Sequence, residues 1–542
     1  MKKNAVWGNA WLIAACALMG ILNALGHQMY YTDHLPSDPS AILRTLLSAV
    51  LGAGIGYLLM LFMYPYLHRA VYRPAGQAPD RAASRKWFWL AFGIILLGWL
   101  VWIVAYYPAS AERDVYYPIR QYLGLDERSS QQPWFYTCTV GFFYSLGLSL
   151  GDKNVGIFLY IVLRAIVMSG IYAWLIVRLH HYGIRKWLLI AVILFYAVVP
   201  VWGAYAKHAF KDTQCAAFFC LCILMTVECV FDIRAGKYGT RDMILYSAAV
   251  LLMSLYRNTC IYVAAPVTVL LGIAILRQKR YTPRKKGMLC FLIALGILVY
   301  GGWEIGIRKF AGVHPAPMGD VLSVPLQQTA RTVRDHGEEI TEEEREAISA
   351  VLAYDRLAED YDPLIADPVK AVFMHAGESG NGARYIRTWL RMMFRFPVSY
   401  LESALAQSYG YYAFTPDQAP HAGNENCGMT IFNWTKDGRY PPEFTLDYQD
   451  SLEGARTALD DWAKIWHQIP FLGWTDVKAL YTWTIVFLGA VLLKKKEWGK
   501  LIPICAFLLM ILSCCVSPVN DCFRYFVPVA AAFPAILLLG TQ

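Results

Sequence analysis

The chain has 542 residues, of which 57% are hydrophobic and only 16% charged, and its mean hydropathy is +0.36. That is too apolar for a water-soluble protein of this length, so the bilayer must act as its solvent. The formal net charge of +9 is unevenly spread: residues 309–476 hold 14 Lys and Arg against 25 Asp and Glu, a balance of −11 that leaves +20 elsewhere, and no nucleic-acid partner is implied.

Apolar runs at 9–26, 43–66, 87–107, 154–178, 187–204, 213–232, 243–256, 259–276, 288–306, 477–494, 501–516 and 522–540 predict twelve helices able to cross about 30 Å of hydrocarbon. The first run follows Met1-Lys2-Lys3 with no small-residue cleavage site and with further spans at once behind it, so it reads as a retained helix. Lys and Arg resist translocation and so set orientation. Arg69, Arg73, Arg81, Arg85 and Lys86 follow span two, Arg178, Arg185 and Lys186 follow span four, and Arg234, Lys237 and Arg241 follow span six. Arg277, Lys279, Arg280, Arg284, Lys285 and Lys286 follow span eight, and Lys494, Lys495, Lys496 and Lys500 follow span ten. Every basic loop thus sits at an even-numbered exit, which puts both termini in the cytoplasm. The alternation requires that the apolar stretch 134–150 not cross, which makes it an interfacial or re-entrant helix.

The expected fold is therefore an all-α polytopic membrane protein in four segments. Residues 1–86 form two leading helices and a basic loop, and 87–306 a transmembrane core whose first outer loop spans 108–153. Residues 307–476 form an extracytoplasmic domain, and 477–542 three closing helices. No internal repeat is present in the sequence, which weakens a transporter reading, since many transporters are built from related halves. Ten of the thirteen cysteines lie in the spans, where a thiol behaves as a small apolar group. Cys427 is alone in the outer domain, and a bridge from it to Cys138 or Cys522 stays open.

Within the outer domain, Thr341 followed by Glu342, Glu343 and Glu344 predicts a capped helix start ahead of Ile348, Val351, Leu352 and Leu357. Residues 383–412 interleave Tyr385, Trp389, Phe394 and Tyr400 with Arg384, Arg387, Arg391 and Arg395, a pattern that suits a helix at the headgroup level. Pro and Gly punctuate 413–450 and make it a candidate lid.

The first outer loop is the richest in chemistry. Glu112, Arg113 and Asp114 lie just outside span three, followed by Gln121 and Gln132. A carboxylate at the water boundary of an apolar bundle can deprotonate an acceptor hydroxyl while nearby cations hold a phosphate leaving group. By position alone the acids read more readily as solvated loop residues than as catalytic ones. Lys207, Lys211 and Asp212 mark the outer turn between spans five and six, which reads equally as a helix start with lysines reaching to headgroups. Arg257-Asn258 interrupts a long apolar run where the chain should turn outside, and arginine suits a bidentate grip on phosphate. Arg524-Tyr525 opens the last span, where an arginine needs an anionic partner. His180-His181 falls in a basic loop, Asn433-Trp434-Thr435 fits a glycosylation pattern by composition alone, and the sequence carries no glycine-rich phosphate loop.

This layout over residues 87–542 resembles the GT-C superfamily of glycosyltransferases, and within it multispanning bacterial cell-surface enzymes with an outer-loop pattern near P-G-x-x-x-x-D…Q…H-P…T. The matching residues are Tyr107-Pro108-Ala109, Asp114, Gln121, Gln132-Pro133 and Thr137, with Ala109 in place of Gly and Gln132 in place of His. Lys207 to Asp212 resembles the K-D junction of these families, Ser254 to Asn258 their R-N/G junction, and Arg524-Tyr525 with Pro528 their closing R-Y…P element. The segment Val324 to Arg331 is similar to one that recurs in them, which makes Gln327, Gln328 and Arg331 candidate acceptor or sugar contacts.

The resemblance implies an inverting transfer of a sugar from a polyprenyl-phosphate carrier to a cell-envelope glycan or lipid outside the cytoplasmic membrane, with Asp114 as general base and Lys211, Arg257 and Arg524 on the phosphate. It leaves dependence on Mg2+ or Mn2+ open, with Glu112, Asp114 and Asp212 as the oxygen donors available for one ion. Two other readings remain: an envelope polysaccharide polymerase or ligase, which would rely on loop arginines such as Arg331, and a lipid or solute transporter.

Overall fold

The computed structural model describes residues 9–71, 81–111, 113–374, 380–415, 446 and 448–540, with the backbone alone at 65–70, 81 and 113. Glu112, Cys427, Asn433 and most of the candidate lid lie outside the described residues, as does the side chain of Arg113.

Apolar runs become helices because a backbone in hydrocarbon must satisfy its own hydrogen bonds. In chain order these are α1 (Ala10–Thr32), α2 (Pro39–Val71), α3 (Arg81–Ala105), α4 (Arg113–Tyr122), α5 (Trp134–Ser149), α6 (Lys153–His181), α7 (Lys186–Val198), α8 (Pro200–Ala206), α9 (Asp212–Ala235), α10 (Thr240–Tyr256), α11 (Ile261–Arg277) and α12 (Pro283–Phe310). The segment expected to form the outer domain follows as α13 (Met318–Val321), α14 (Ser323–His336), α15 (Glu342–Ser349), α16 (Leu357–Asp360), α17 (Asp367–Ala371), α18 (Asn381–Arg395), α19 (Pro397–Ala406) and α20 (Glu453–Gln468). The chain closes with α21 (Lys478–Lys494), α22 (Leu501–Cys515) and α23 (Phe523–Ala532). No strand occurs among the described residues.

Among the described residues nine helices are long and apolar enough to cross a membrane, or ten if the bent pair α7 and α8 counts as one span. The other two of the twelve expected runs fall in α10 and α21, which have 17 residues each and are shorter than that criterion. The bend of 49° between α7 and α8 sits at Val199-Pro200, because proline pushes the residue before it into an extended conformation. After α23 the chain tightens into a 3-10 helix over Phe533–Gly540, where Pro534 has no N–H to donate.

The loops fall into two sets, each tied together by hydrogen bonds. In one set, Ser110 N donates to Lys207 O at 3.0 Å, His314 N to Arg128 O at 2.9 Å, Asn258 Nδ2 to Ser130 O at 3.2 Å, and Asn520 N to Leu364 O at 2.9 Å. In the other, Arg185 N donates to Val71 O at 3.0 Å, Arg280 to Ala235 O at 2.8 Å, and Arg234 pairs with Glu497. The second set is the one that carries the basic loops. Helix α5, at 16 residues, packs with the first set: Tyr136 OH donates to the carbonyls of Asp114 and Ala209, and Phe135 meets the rings of Tyr256 and Trp303 at the ends of α10 and α12.

The outer domain closes its own core around Leu326, Ile348, Leu352, Leu357, Tyr385 and Met392. Thr341 and Glu344 form the expected capping box on α15. The arginines of α18 do not all turn outward to headgroups. Arg384, Arg391 and Arg395 pair with Glu346, Glu343 and Glu344 of α15 at 2.9, 3.4 and 2.7 Å, because acids crowding one helix attract the basic flank of its neighbour. Beyond α19 the chain dips back among the spans: Phe414 N donates to Asn23 Oδ1 of α1 at 2.8 Å, and Trp483 Nε1 of α21 donates to Tyr412 O at 2.7 Å.

Helix α3, which leads into the first outer loop, lies close against α7. A Cβ on Gly98 would fall 2.3 Å from the Ala197 carbonyl oxygen, a backbone atom that cannot swing away. Gly98→Val is therefore expected to destabilise the protein by about 1–3 kcal/mol through overpacking, read as a lowered melting temperature in detergent. An unchanged melting temperature would mean that α3 and α7 do not pack this closely.

Candidate functional site

Two carboxylates are delivered by two helix N-termini, where peptide dipoles favour negative charge. Asp114 lies in the first turn of α4, and Asp212 is the first residue of α9. The strands of backbone that precede these helices are tied to one another, since Ser110 N donates to Lys207 O at 3.0 Å and Ala209 N to Ser110 O at 2.9 Å. Helix α6 holds the second of them in place: Arg164, buried in the middle of α6, donates to Ala206 O at 2.5 Å and Tyr205 O at 3.2 Å at the end of α8, and to Phe210 O at 3.4 Å in the turn that follows.

Arg524, in the first turn of α23, reaches between the carboxylates. Its Nε donates to Asp212 Oδ2 at 2.8 Å and its Nη2 to Asp114 Oδ2, while its guanidinium carbon lies 4.6 Å over the Phe210 ring. Gln132, just ahead of α5, donates from Nε2 to Asp114 Oδ1 at 3.0 Å and accepts from Lys211 Nζ. Arg257 closes α10, where the dipole favours a cation. It donates to Tyr525 O at 3.2 Å and to Thr259 Oγ1 at 3.2 Å, with the Tyr525 ring 5.5 Å from its guanidinium carbon.

Asp212, Arg524 and Arg257 are buried, whereas the Asp114 side chain is 33% exposed and Lys211 is half-buried. The two members that face outward are thus one acid and one amine. Burial lowers the pKa of Lys211, against the pull of Asp212 and Asp114. Burial is the largest single influence on Arg257 and lowers it, but Asp212 together with Cys260, Cys215 and Cys514 raises the group's pKa overall. His208, buried beside Arg524 and Lys207, is pushed well below the usual imidazole range and accepts from Phe210 N at Nδ1, 3.3 Å away, as a neutral ring.

Asp114, Gln132, Lys211, Asp212 and Arg524 therefore meet in one bonded group, with Arg257 and Tyr525 beside it. Asn258 borders that group through Ser130 O and the Tyr300 hydroxyl, 3.4 Å from its Oδ1. Gln121 is fully buried on α4, with neither amide atom hydrogen-bonded. Lys207 stands apart, its amine 3.0 Å over the Tyr106 ring, whose hydroxyl donates to Asp460 of α20 at 2.5 Å.

Gln327, Gln328 and Arg331 are occupied within the outer domain. Gln327 donates to Asp362 O, and Gln328 bonds Tyr400 O at 3.3 Å and Trp389 Nε1 at 3.1 Å. Arg331, fully buried, pairs with Asp33, Asp335 and Glu402 at 2.9, 3.3 and 2.9 Å. His34, Asp335 and Glu402 lie close enough to hold a metal ion, but the Arg331 guanidinium already fills that role. The same holds between Asp114 and Asp212, where Arg524 takes the position of a bridging cation, so the two carboxylates as placed do not fit a divalent ion.

Sequence reasoning missed Arg164, although an arginine inside an apolar run is itself a signal. It also missed the buried ion pair of Lys478 with Asp521 at 2.7 Å, which fixes the turn leading to Arg524.

The Lys207 amine carries a checkable pH signature. Burial brings its pKa down to about 7 from 10.5, with Asp460 opposing. Between those values the unfolded chain holds a proton that the folded one lacks, so this group makes stability rise with pH from about 7 to about 10. Melting temperatures across that window should climb less in Lys207→Met than in the parent protein. Parallel profiles would show that the amine stays charged in the fold.

No curated protein and no solved structure matches the chain significantly. Residues 89–542, which include every member of the bonded group, match the Family of unknown function (DUF6020), and the chain belongs to that family.

Proposed function

We propose that the protein is a GT-C-type glycosyltransferase that moves a sugar from a polyprenyl-phosphate carrier to a cell-envelope glycan or lipid on the extracytoplasmic side of the plasma membrane. The observation that carries this reading is the single group in which a partly exposed carboxylate, Asp114, is bonded to Arg524 and through Gln132 to Lys211. In this reading α10 and α21 also cross, giving twelve spans. The loop set rich in Lys and Arg faces the cytoplasm, and the Asp114 group faces the opposite side with the outer domain.

The donor's phosphate lies against Lys211 and Arg257, its lipid tail among the spans. Asp114 takes the proton from the acceptor hydroxyl as that oxygen attacks the anomeric carbon. The bond from that carbon to the phosphate oxygen breaks, the lipid phosphate leaves with the electron pair, and the anomeric configuration inverts. Arg524 keeps the Asp114 carboxylate aimed while it compensates the buried charge of Asp212. Arg331, the arginine on which a polymerase or ligase would depend, is consumed by three carboxylates and serves the outer domain's structure.

Protein purified in detergent should release polyprenyl phosphate from a polyprenyl-phosphate sugar when given an envelope acceptor. Asp114→Asn, which keeps the shape of the side chain, should lose about 100-fold or more in kcat while its melting temperature holds. Full activity in that variant would end the general-base assignment. Arg331→Ala should do the reverse. It leaves the buried Glu402 carboxylate without its partner, at a cost of about 3–5 kcal/mol, and whatever protein stays folded should keep its kcat. A folded Arg331→Ala protein without activity would favour the polymerase or ligase reading.

A further inference from the structure

Gln132 is buried, at 7% exposure, and its amide is engaged at both ends by charges of opposite sign. Its Nε2 donates to Asp114 Oδ1 at 3.0 Å, and its Oε1 accepts from Lys211 Nζ. The two charges it joins are the two members of the group that reach toward solvent. Without a spacer, an amine and a carboxylate this close would collapse into a direct ion pair and hide both. The amide allows neither that collapse nor separation, because turning it over would set its oxygen against a carboxylate and its NH2 against an ammonium.

We infer that Gln132 is the positioning residue that couples the phosphate-gripping amine to the carboxylate, so that whatever neutralises or displaces Lys211 is felt at Asp114. A ligand phosphate that draws the ammonium away loosens its hold on Gln132 Oε1, and the opposite end of the same amide is the donor on Asp114 Oδ1. The consequence for catalysis rests on the glycosyltransferase reading: recognition of the donor's phosphate and readiness of the base become one event. Because an amide does not titrate, the link holds across the pH range in which an imidazole in its place would switch.

The charged and titratable groups around this link are Asp114 of α4, Lys211 and Asp212 at the start of α9, Arg524 of α23, Arg257 at the end of α10, and the neutral His208 and Tyr136.

The coupling is measurable without turnover. Asp114 is labelled with a water-soluble carbodiimide in the intact detergent-purified protein, and the rate is read by peptide mass spectrometry for the parent, Lys211→Met, Gln132→Met and the double variant. Lys211→Met should change the Asp114 rate several-fold in the parent background and much less once Gln132→Met is present, a non-additivity that bonded residues show and distant ones do not. Equal effects of Lys211→Met in both backgrounds would overturn the inference.

Gln132→His gives a second readout, since a neutral imidazole offers one N–H and one acceptor as the amide does. Its Lys211-dependence should persist at pH 8 and vanish below about pH 6, where the protonated ring can no longer accept. A dependence equal at both pH values would also count against the link. If the parent protein moves no sugar, the glycosyltransferase reading fails, whereas the labelling cycle still decides the role of Gln132.

Discussion

A guanidinium shared by two carboxylates is the constraint around which one end of this helix bundle is organised. Arg524 enters the bundle at the first turn of α23 and would be costly there unpaired. Its partners come from two other places in the chain, Asp114 on α4 and Asp212 on α9, which fixes α4, α9 and α23 relative to one another. The two aspartates sit at helix N-termini and Arg257 at a helix C-terminus, so backbone dipoles favour each charge where it stands. Remove the arginine and two acids face each other near an apolar interior.

The supports of this group reach well beyond it. The turn that carries Arg524 is anchored by Lys478 on Asp521 and by the Tyr411 hydroxyl, which donates to Val519 O at 2.9 Å and accepts from Cys522 N at 3.2 Å. Tyr411 belongs to the segment that descends from α19 between the spans. On the other side α20 and the residues just ahead of it cover the loop that leads to Asp114: the Tyr448 hydroxyl shares a hydrogen bond of 2.9 Å with Ser110 Oγ, and Arg456 of α20 donates to Ala105 O at 3.2 Å. Two parts of the domain at 307–476, around Tyr411 and around α20, therefore grip loops that position the charged group, and a shift in either cannot leave Asp114 and Arg524 untouched.

How much of this was legible before the structure differs by physical origin. The spans followed from continuous apolar runs, because hydrocarbon thickness imposes length and composition directly. The expectation that Asp114, Lys211, Asp212 and Arg524 share one site came from the resemblance of their motifs to the GT-C families; physical reasoning alone asked for an anionic partner only at Arg524. Gln132 was placed beside them by a sequence pattern, but its role as a bridge was not readable, since an uncharged amide gives no electrostatic signal in sequence. The partners of Arg331 and of the α18 arginines were not readable either. Those pairs join residues far apart in the chain, Asp33 with Arg331 and Glu344 with Arg395 among them, and composition near the arginine suggested lipid headgroups as well as it suggested acids.

The leading helix pair shows how the domain and the bundle share one foundation. Helices α1 and α2 precede the segment that matches the family, yet α1 is not an appendage on it. The α1 to α2 turn gives Asp33 to Arg331 and the backbone N–H of Leu35 to Glu402 Oε1 at 2.6 Å, and Gly26 lies against Ala413 where the descending segment passes. Arg331, fully buried, is neutralised in part by a residue from outside the family segment. Since a buried guanidinium stripped of one carboxylate is left with charge it cannot shed to water, this domain depends for its electrostatic balance on a helix pair that lies outside the family segment.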